Sequence, residues 1–329
     1  MGHRRGVNPR TVAITADRVS SAGVVIALVV AAVLAMIVER HFLDGPGPTP
    51  LASGARTIPF SQPTGRPPRL EDQVANLMAG ERGRIARMIY DAPGGTPDVT
   101  VTRQTADRSW VFGVAALPVP TSSPAMPQVA LFLAHWEGRR WRAGISGGED
   151  FRALLRVVPT RLLPATEIRA LARFSVGPVR IPKIRLPWQV GESRRADTMA
   201  GPLAFDGANG QVLAATDGTI YRFCADSADN GLLMIINTSG LATLYYRLAD
   251  LTRVSDGTFV RKGDYLGQPG GPGTCGGATS PTVLFGLGQG DGAIALSGRS
   301  VGGWNFRDGW AQRGDQQVMP GQMLSNLDS

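Results

Sequence analysis

The sequence predicts a mainly β protein, with an N-terminal transmembrane helix and a small α+β domain ahead of a C-terminal all-β domain. Three observations carry this prediction. Between residues 203 and 287, short apolar runs alternate with Gly, Asn and Asp, which is typical of β-strands joined by turns. Residues 19–38 contain no charged side chain, and residues 74–89 carry apolar side chains at helical spacing. A chain of 329 residues can hold two folded domains with tails.

The N-terminal segment is expected to anchor the protein in a membrane. Residues 19–38 are long enough to cross the roughly 30 Å hydrocarbon core of a bilayer. Four arginines in residues 1–18 place that tail in the cytoplasm, and the rest of the chain is then extracytoplasmic. A cleaved signal peptide is the alternative. The apolar run is long for a signal peptide, and residues 36–40 lack a small-residue cleavage site, so the sequence favours a single-pass anchor.

The anchor is followed by a tether. Residues 39–70 are rich in proline and glycine, a composition that disfavours a folded core and favours an extended, semi-rigid linker. At about 3.1 Å per residue, the proline-dense stretch 44–70 of this linker reaches on the order of 80 Å. No specific partner is expected for it.

Residues 71–160 are predicted to form a small α+β domain, in which the helix is followed by strands at 109–117, 129–136 and 140–145. Glu137-Gly138-Arg139 is the expected hairpin turn between the last two strands. One helix on a curved antiparallel sheet is similar to cystatin-like or nuclear-transport-factor-like domains. Four aromatic residues at strand spacing are more typical of a core than of a ligand pocket: Trp110, Phe112, Trp136 and Trp141.

Residues 161–190 are predicted to connect the two domains through a short helix at 162–172 and an extended, proline-containing stretch. In this stretch Lys183 and Arg185 alternate with Ile184 and Leu186. Such alternation favours an edge strand with one solvated face, and contact with an acidic polymer or anionic headgroups is the alternative.

The C-terminal domain, residues 191–310, carries a recognisable order of short motifs. They are Gly210-Gln211-Val212-Leu213-Ala214-Ala215, Ala242-Thr243-Leu244-Tyr245-Tyr246-Arg247-Leu248, Cys275-Gly276-Gly277 and Pro281-Thr282-Val283-Leu284-Phe285-Gly286-Leu287. In this order and spacing they resemble the zinc metallopeptidases of the LytM/lysostaphin (M23) type, and within it an actinobacterial membrane-anchored subgroup. The resemblance implies an all-β domain with a groove that binds a peptide strand of peptidoglycan over zinc. Residues 311–329 are polar and are expected to be a frayed tail.

The departures from this family lie at its catalytic positions. Active members carry a His-x-His pair where this chain has Thr282 and Leu284, and a histidine where it has Arg247. Their aspartate ligand corresponds to Ala204, or to Asp206 if the register slips by two residues. The only histidines of the chain are His3, His41 and His135, outside this domain.

These departures predict a degenerate domain without metal, cofactor or catalytic residue. A catalytic zinc needs about three protein ligands from His, Asp, Glu or Cys and an open position for water. Thr and Leu cannot replace imidazole, and arginine stays protonated and accepts no proton. A nucleic-acid partner is also excluded, because residues 187–329 hold 10 basic and 13 acidic side chains and offer no basic surface.

The expected function is therefore a membrane-anchored, catalytically inactive module that binds peptidoglycan or another envelope protein. The candidate groove residues are Asp206, Tyr245, Arg247, Thr282 and Leu284. For Arg247, binding of a ligand carboxylate and structural filling of the former site are both open. The alternative function is an active cell-wall metalloendopeptidase with an atypical site, for which Asp206, Asp226 and Asp229 are the nearest acids.

The chain has two cysteines, Cys224 and Cys275, at places where the related subgroup also carries cysteines. An even count in an extracytoplasmic region indicates a disulfide. A two-cysteine metal site lacks further ligands.

Overall fold

The computed structural model describes residues 69–177, 181–199, 201–207, 210–226, 228–271, 273–277, 280–290 and 292–327. All of them belong to the second of the two units into which the chain divides, residues 64–329. The predicted cytoplasmic tail, the transmembrane helix and nearly all of the linker lie outside the described residues. Within the described part, no helix has the length and apolar character needed to cross a bilayer.

The predicted α+β region contains two helices and an antiparallel four-stranded sheet in the order β1-β2-β3-β4. Its elements are α1 (Leu70–Glu81), α2 (Gly83–Tyr90), β1 (Asp98–Gln104), β2 (Trp110–Leu117), β3 (Gln128–Trp136) and β4 (Trp141–Ile145). The sequence predicted β2, β3 and β4 within two residues at each end. It missed β1, because most of that strand is polar and none of its residues is buried.

The predicted single helix is divided at Arg82. The Arg82 side chain is buried there, and its guanidinium donates to the carbonyl of Ser146 at 2.6 Å and to the carbonyl of Gly290. Because Gly290 follows a strand of the C-terminal domain, this break in the helix also links the two halves of the molecule.

The remaining elements build the C-terminal domain and its connector. They are α3 (Glu149–Leu155), α4 (Ala165–Val176), β5 (Ser193–Thr198), β6 (Leu203–Asp206), β7 (Val212–Leu213), β8 (Gly218–Phe223), β9 (Gly231–Ile236), β10 (Ala242–Ala249), β11 (Phe259–Val260), β12 (Tyr265–Pro269), β13 (Thr282–Gln289) and β14 (Gly292–Ile294). The principal sheet runs β11-β8-β9-β10-β13-β6-β5, with β12 paired to β10 and β7, and β14 paired to β13. A C-terminal strand, Gln322–Ser325, extends it beyond β5. The mainly β class is confirmed.

The polar C-terminus is ordered, which corrects the expectation of a frayed tail. Residues 300–325 form β15 (Ser300–Val301), β16 (Trp304–Arg307), β17 (Trp310–Arg313), β18 (Gln316–Val318) and β19 (Gln322–Ser325). Strand β19 pairs with β5 and buries Leu324 completely. The side chain of Asn326, also buried, exchanges hydrogen bonds with the backbone N–H and carbonyl of Leu186. The buried Leu324 side chain and the hydrogen-bonded Asn326 amide thus hold in place a segment whose polar composition predicted exposure to solvent.

Strand β2 is buried on both faces and joins the two domains. One face packs Val111 and Ala115 under helices α1 and α2. The other face carries Phe112 and Val114 into an apolar cluster that includes residues of β6, β8, β9, β10 and β13. The N-terminal sheet therefore lies directly on one face of the principal sheet. Burial of β2 on both faces explains its continuous apolar run, Trp110–Leu117.

Candidate functional site

The strand register decides which residue takes the position of the aspartate ligand. Antiparallel β6 and β13 pair Ala204 with Leu284 and Asp206 with Thr282. Directly opposed residues point to the same face of a sheet, and so do residues two apart on a strand. All four side chains thus belong to one face, which we call the groove face. Ala204, not Asp206, lies directly opposite Leu284.

The centre of the groove face is closed. Ala204 and Leu284 are 5% and 3% exposed, and both belong to the apolar cluster that contains Phe112 and Leu131 of the N-terminal sheet. The strands of the N-terminal domain thus cover two of the positions at which the family resemblance places zinc ligands. Phe112 is a core residue, as its strand spacing predicted. Trp110 stacks on His135, with ring centroids 4.3 Å apart.

The rim of the groove face is also closed by the chain itself. In the loop between β2 and β3, Val119 pairs in parallel with Gly276 of the Gly-rich loop. The Val119 N–H donates to the carbonyl of Cys275 at 2.8 Å, and its carbonyl accepts the Gly277 N–H at 3.0 Å. Gly276 has a φ of +83°, and a Cβ atom there would lie 2.0 Å from the Val119 carbonyl oxygen. Glycine is required at this position for the two segments to pair.

The two adjacent tyrosines of β10 point to opposite faces. Tyr246 lies on the groove face within the apolar cluster, and its hydroxyl donates to the Gly276 carbonyl. Tyr245 lies in the core on the other side of the sheet, where its hydroxyl accepts the Ala215 N–H at 2.7 Å and donates to Thr243 Oγ1 at 3.0 Å. Tyr245 is therefore not a groove residue, because successive side chains of a strand alternate between faces.

Arg247 follows at a bulge in β10 and has a φ of +69°. Its carbonyl accepts the N–H groups of Gly270 and Gly271, both at 3.2 Å. Its side chain is 6% exposed and its guanidinium carbon lies 5.7 Å from the ring centroid of Tyr246. Its Nε is buried without a hydrogen-bond partner, and no carboxylate of the described residues forms an ion pair with it. A buried guanidinium without a counter-charge is costly unless a ligand supplies one.

Asp206 and Thr282 lie at the partly open edge of the groove face. The Asp206 carboxylate is 3.9 Å from the Arg195 guanidinium and its side chain is 38% exposed. The Thr282 hydroxyl donates to Asp197 at 3.4 Å. The structure therefore brings together Asp206, Thr282 and Leu284 on one face, with Leu284 in the interior and the other two at the edge.

These residues do not fit a catalytic zinc. Ala204 and Leu284 have no donor atom, and arginine does not ligate the ion. Among the described residues, no three His, Cys, Asp or Glu side chains lie close enough to hold a metal ion. Asp226, one of the acids considered for an atypical site, accepts the N–H groups of Ala228 and Asn230, both at 2.9 Å. The Asn230 side chain and these N–H groups lower the pKa of Asp226, which is typical of a turn carboxylate.

A largely buried polar network holds the two domains in register on the groove-face side of the principal sheet. Arg103 of β1 donates to both carboxylate oxygens of Glu167 on α4, at 2.8 Å and 2.5 Å. The hydroxyl of Tyr221 on β8 donates to the same carboxylate at 2.6 Å. One carboxylate thus ties three elements, from the N-terminal sheet, the connector and the principal sheet.

The buried tyrosines predict a loss of stability in alkali. Burial raises the pKa of all five tyrosine hydroxyls above the usual value of 10.0, and the pKa values of Tyr246 and Tyr265 rise to about 12. The other three are Tyr90, Tyr221 and Tyr245. The unfolded chain releases these protons near pH 10 and the folded chain does not. The unfolded state then binds fewer protons, so the free energy of unfolding falls as the pH rises above about 10.

We expect tyrosinate absorbance of the folded protein to stay low at pH 10 to 11 and to rise together with loss of structure at higher pH. The denatured protein, titrated in parallel, should ionise near pH 10. Reversible ionisation of several tyrosines near pH 10 with the fold intact would contradict the burial described above.

The predicted disulfide between Cys224 and Cys275 is confirmed. It joins the end of β8 to the Gly-rich loop, over a sequence separation of 51 residues, and the Cα atoms are 5.4 Å apart. Because Cys275 also accepts a hydrogen bond from Val119, the bridge fixes the loop that closes the rim.

Comparison with known proteins agrees with the motifs. The sequence matches the family described as Peptidase family M23 over residues 202–295. Among solved structures, it is similar to the M23 metalloprotease pseudoalterin from the deep sea, with 24% identity, a TM-score of 0.37, and coverage of 44% of this chain and 99% of the other. A structure described as an M23 peptidase from Pseudomonas aeruginosa gives 17% identity, a TM-score of 0.29 and coverage of 61% and 83%.

A zinc-containing peptidase from Vibrio cholerae gives 15% identity, a TM-score of 0.23 and coverage of 57% of each chain. A comparison with curated proteins gives no significant match.

Proposed function

Because residues 202–295 are a Peptidase family M23 domain, we propose that this protein is a membrane-anchored, non-hydrolytic M23 module that acts by binding in the cell envelope. The anchor is the uncharged run at residues 19–38, with the N-terminal tail in the cytoplasm and the folded domains outside. The Cys224–Cys275 disulfide supports an extracytoplasmic location, because such bridges persist in oxidising compartments.

One observation carries the proposal: the pair Ala204–Leu284 occupies the centre of the groove face and is buried under the N-terminal sheet. A hydrolase needs donors for zinc and access for substrate at this place. The pair supplies no donor, and the chain's own strands occupy the approach. The face that binds substrate in an M23 peptidase serves here as an internal interface.

It follows that an envelope protein is the partner this geometry favours. With the centre of the groove face occupied, binding uses the outer surfaces of the two domains, which the buried network of Arg103, Glu167 and Tyr221 holds in a fixed relation. A rigid pair of domains on a long tether suits a scaffold or a regulator of envelope enzymes.

The test is metal content and turnover of the unit formed by residues 64–329. After dialysis against zinc and removal of free metal, we expect well below one zinc per chain and no release of peptide fragments from purified peptidoglycan. An active M23 peptidase assayed in parallel provides the control. Stoichiometric zinc together with cleavage would overturn the proposal and favour the atypical metalloendopeptidase.

Peptidoglycan is the second candidate partner, and Arg247 is the observation that favours it. This guanidinium is nine-tenths buried and lacks a carboxylate partner among the described residues. A stem-peptide carboxylate would satisfy it with charge-assisted hydrogen bonds.

For this candidate, we expect Arg247→Ala to weaken co-sedimentation of residues 64–329 with purified sacculi at least tenfold, because a hydrogen bond to a charged group contributes about 1.5–3 kcal/mol. The matched control is Arg261→Ala, which removes an exposed arginine. Equal binding by Arg247→Ala and the control would remove Arg247 from the binding site.

A further inference from the structure

The groove face continues past its closed centre into a cavity of about 290 Å³. On β13, Gly286 and Gly288 alternate with Leu284 on this face and form the cavity floor. The walls come from both domains, and they include Ile89, Met126, Phe174, Leu244 and Ile294.

The two glycines allow the wall residues Met126 and Leu244 to lie close to the cavity floor. A Cβ atom at Gly286 would lie 3.0 Å from the sulfur of Met126, and one at Gly288 would lie 2.9 Å from a methyl group of Leu244. Larger residues at these positions would fill the floor against the wall. Glycine at both positions therefore leaves the cavity floor without side chains, whereas Leu284, two residues before Gly286 on the same face, is packed.

The lining is apolar. Among the described residues that surround the cavity none is charged, and the polar side chains are the amides of Gln128 and Gln289. At the mouth Ile89 is 47% exposed, and its neighbour Met88 on α2 is 73% exposed. Exposed large apolar side chains beside an apolar cavity mark a site of interaction rather than an ordinary surface.

We propose that this cavity binds the hydrocarbon chain of an amphiphile. A peptide segment would bring one N–H and one carbonyl per residue into a space that offers two amide side chains, and it would leave several of them unsatisfied. A hydrocarbon chain has no such requirement. At roughly 30 Å³ for a group of the size of water, the volume takes about ten methylene-sized groups. The polar head then remains at the mouth, beside Ile89.

The affinity for such a ligand is expected to depend on the length of its hydrocarbon chain. Burial of each methylene contributes about fourfold in affinity, until the cavity is full. Lengthening the chain beyond about ten carbons should add little, because further methylenes stay in water.

The experiment is calorimetric titration of the unit formed by residues 64–329 with 1-alkanols from hexanol to dodecanol, in the absence of detergent. We expect affinity to rise about fourfold per carbon up to decanol and then to level off. Ile89→Glu should weaken decanol binding at least tenfold by placing a charge at the mouth. Met88→Glu, on the adjacent and more exposed residue that does not line the cavity, should stay within twofold of the parent protein.

A second variant controls for the case in which Ile89→Glu does not fold. Ala293 is exposed and lines the cavity, so Ala293→Trp should block it while the melting temperature is retained. Absence of alkanol binding, affinity that does not change with chain length, or equal effects of Ile89→Glu and Met88→Glu would overturn the proposal. Failure of the zinc and peptidoglycan assays would leave this result unaffected, since the cavity contains none of the residues of the closed centre.

Discussion

Leu284→Asn is expected to lower the free energy of unfolding by about 4–6 kcal/mol. Removal of a buried leucine side chain costs about 2–5 kcal/mol, and an amide left without partners in an apolar cluster costs about 1–3 kcal/mol more. Leu284 is 3% exposed and packs with residues of both domains, so its neighbours cannot easily move to fill the space that the leucine side chain leaves. Urea unfolding followed by tryptophan fluorescence measures the change.

The control is the same substitution two residues earlier. Thr282 lies on the same strand and the same face but at the partly open edge, so Thr282→Asn should cost less than about 1 kcal/mol. The pair of variants measures how closed the groove face is. If Leu284→Asn cost as little as Thr282→Asn, the centre of the face would be open to water, and peptide binding there would become feasible again.

The second large effect is expected from loss of the disulfide. In the chain-entropy account, a bridge that closes about 51 residues stabilises the fold by roughly 4 kcal/mol. The double variant Cys224→Ser/Cys275→Ser should therefore unfold at a clearly lower urea concentration. The bridge also fixes the loop that pairs with Val119, so its loss should loosen the rim of the groove face.

Two measurements complete this test. The parent protein, denatured without reductant, should show no reactive thiol. Reduction of the parent protein should reproduce the lower midpoint of the double variant. Equal urea midpoints for the parent protein and the double variant would show that the bridge adds nothing to stability.

The prediction on zinc binding rests on the sequence alone, because metal ligation depends on side-chain chemistry. Thr282, Leu284 and Arg247 stand at positions where the family resemblance places imidazoles. Leucine and a protonated guanidinium have no electron pair to donate, and a neutral threonine hydroxyl is not among the usual zinc ligands. The short strands of the C-terminal domain and the disulfide were predictable for a similar reason: apolar periodicity and cysteine count are local signals.

Four features required the tertiary structure. The register set Ala204, not Asp206, opposite Leu284, because pairing depends on how two distant strands meet. The face of Tyr245 followed from that same sheet. The ordered C-terminus and the polar strand β1 were missed, because partners far along the chain stabilise both.

The residue types at the positions where the family resemblance places zinc ligands can be read from the amino-acid sequence: Ala204, Arg247, Thr282 and Leu284. Their burial could not be read in the same way, since closure of the groove face depends on Phe112 and Val119, more than a hundred residues away from Leu284 and Gly276. A residue type carries its own chemistry wherever it lies. Burial is set by the segments that pack against it, and those segments are brought together only when the whole chain folds.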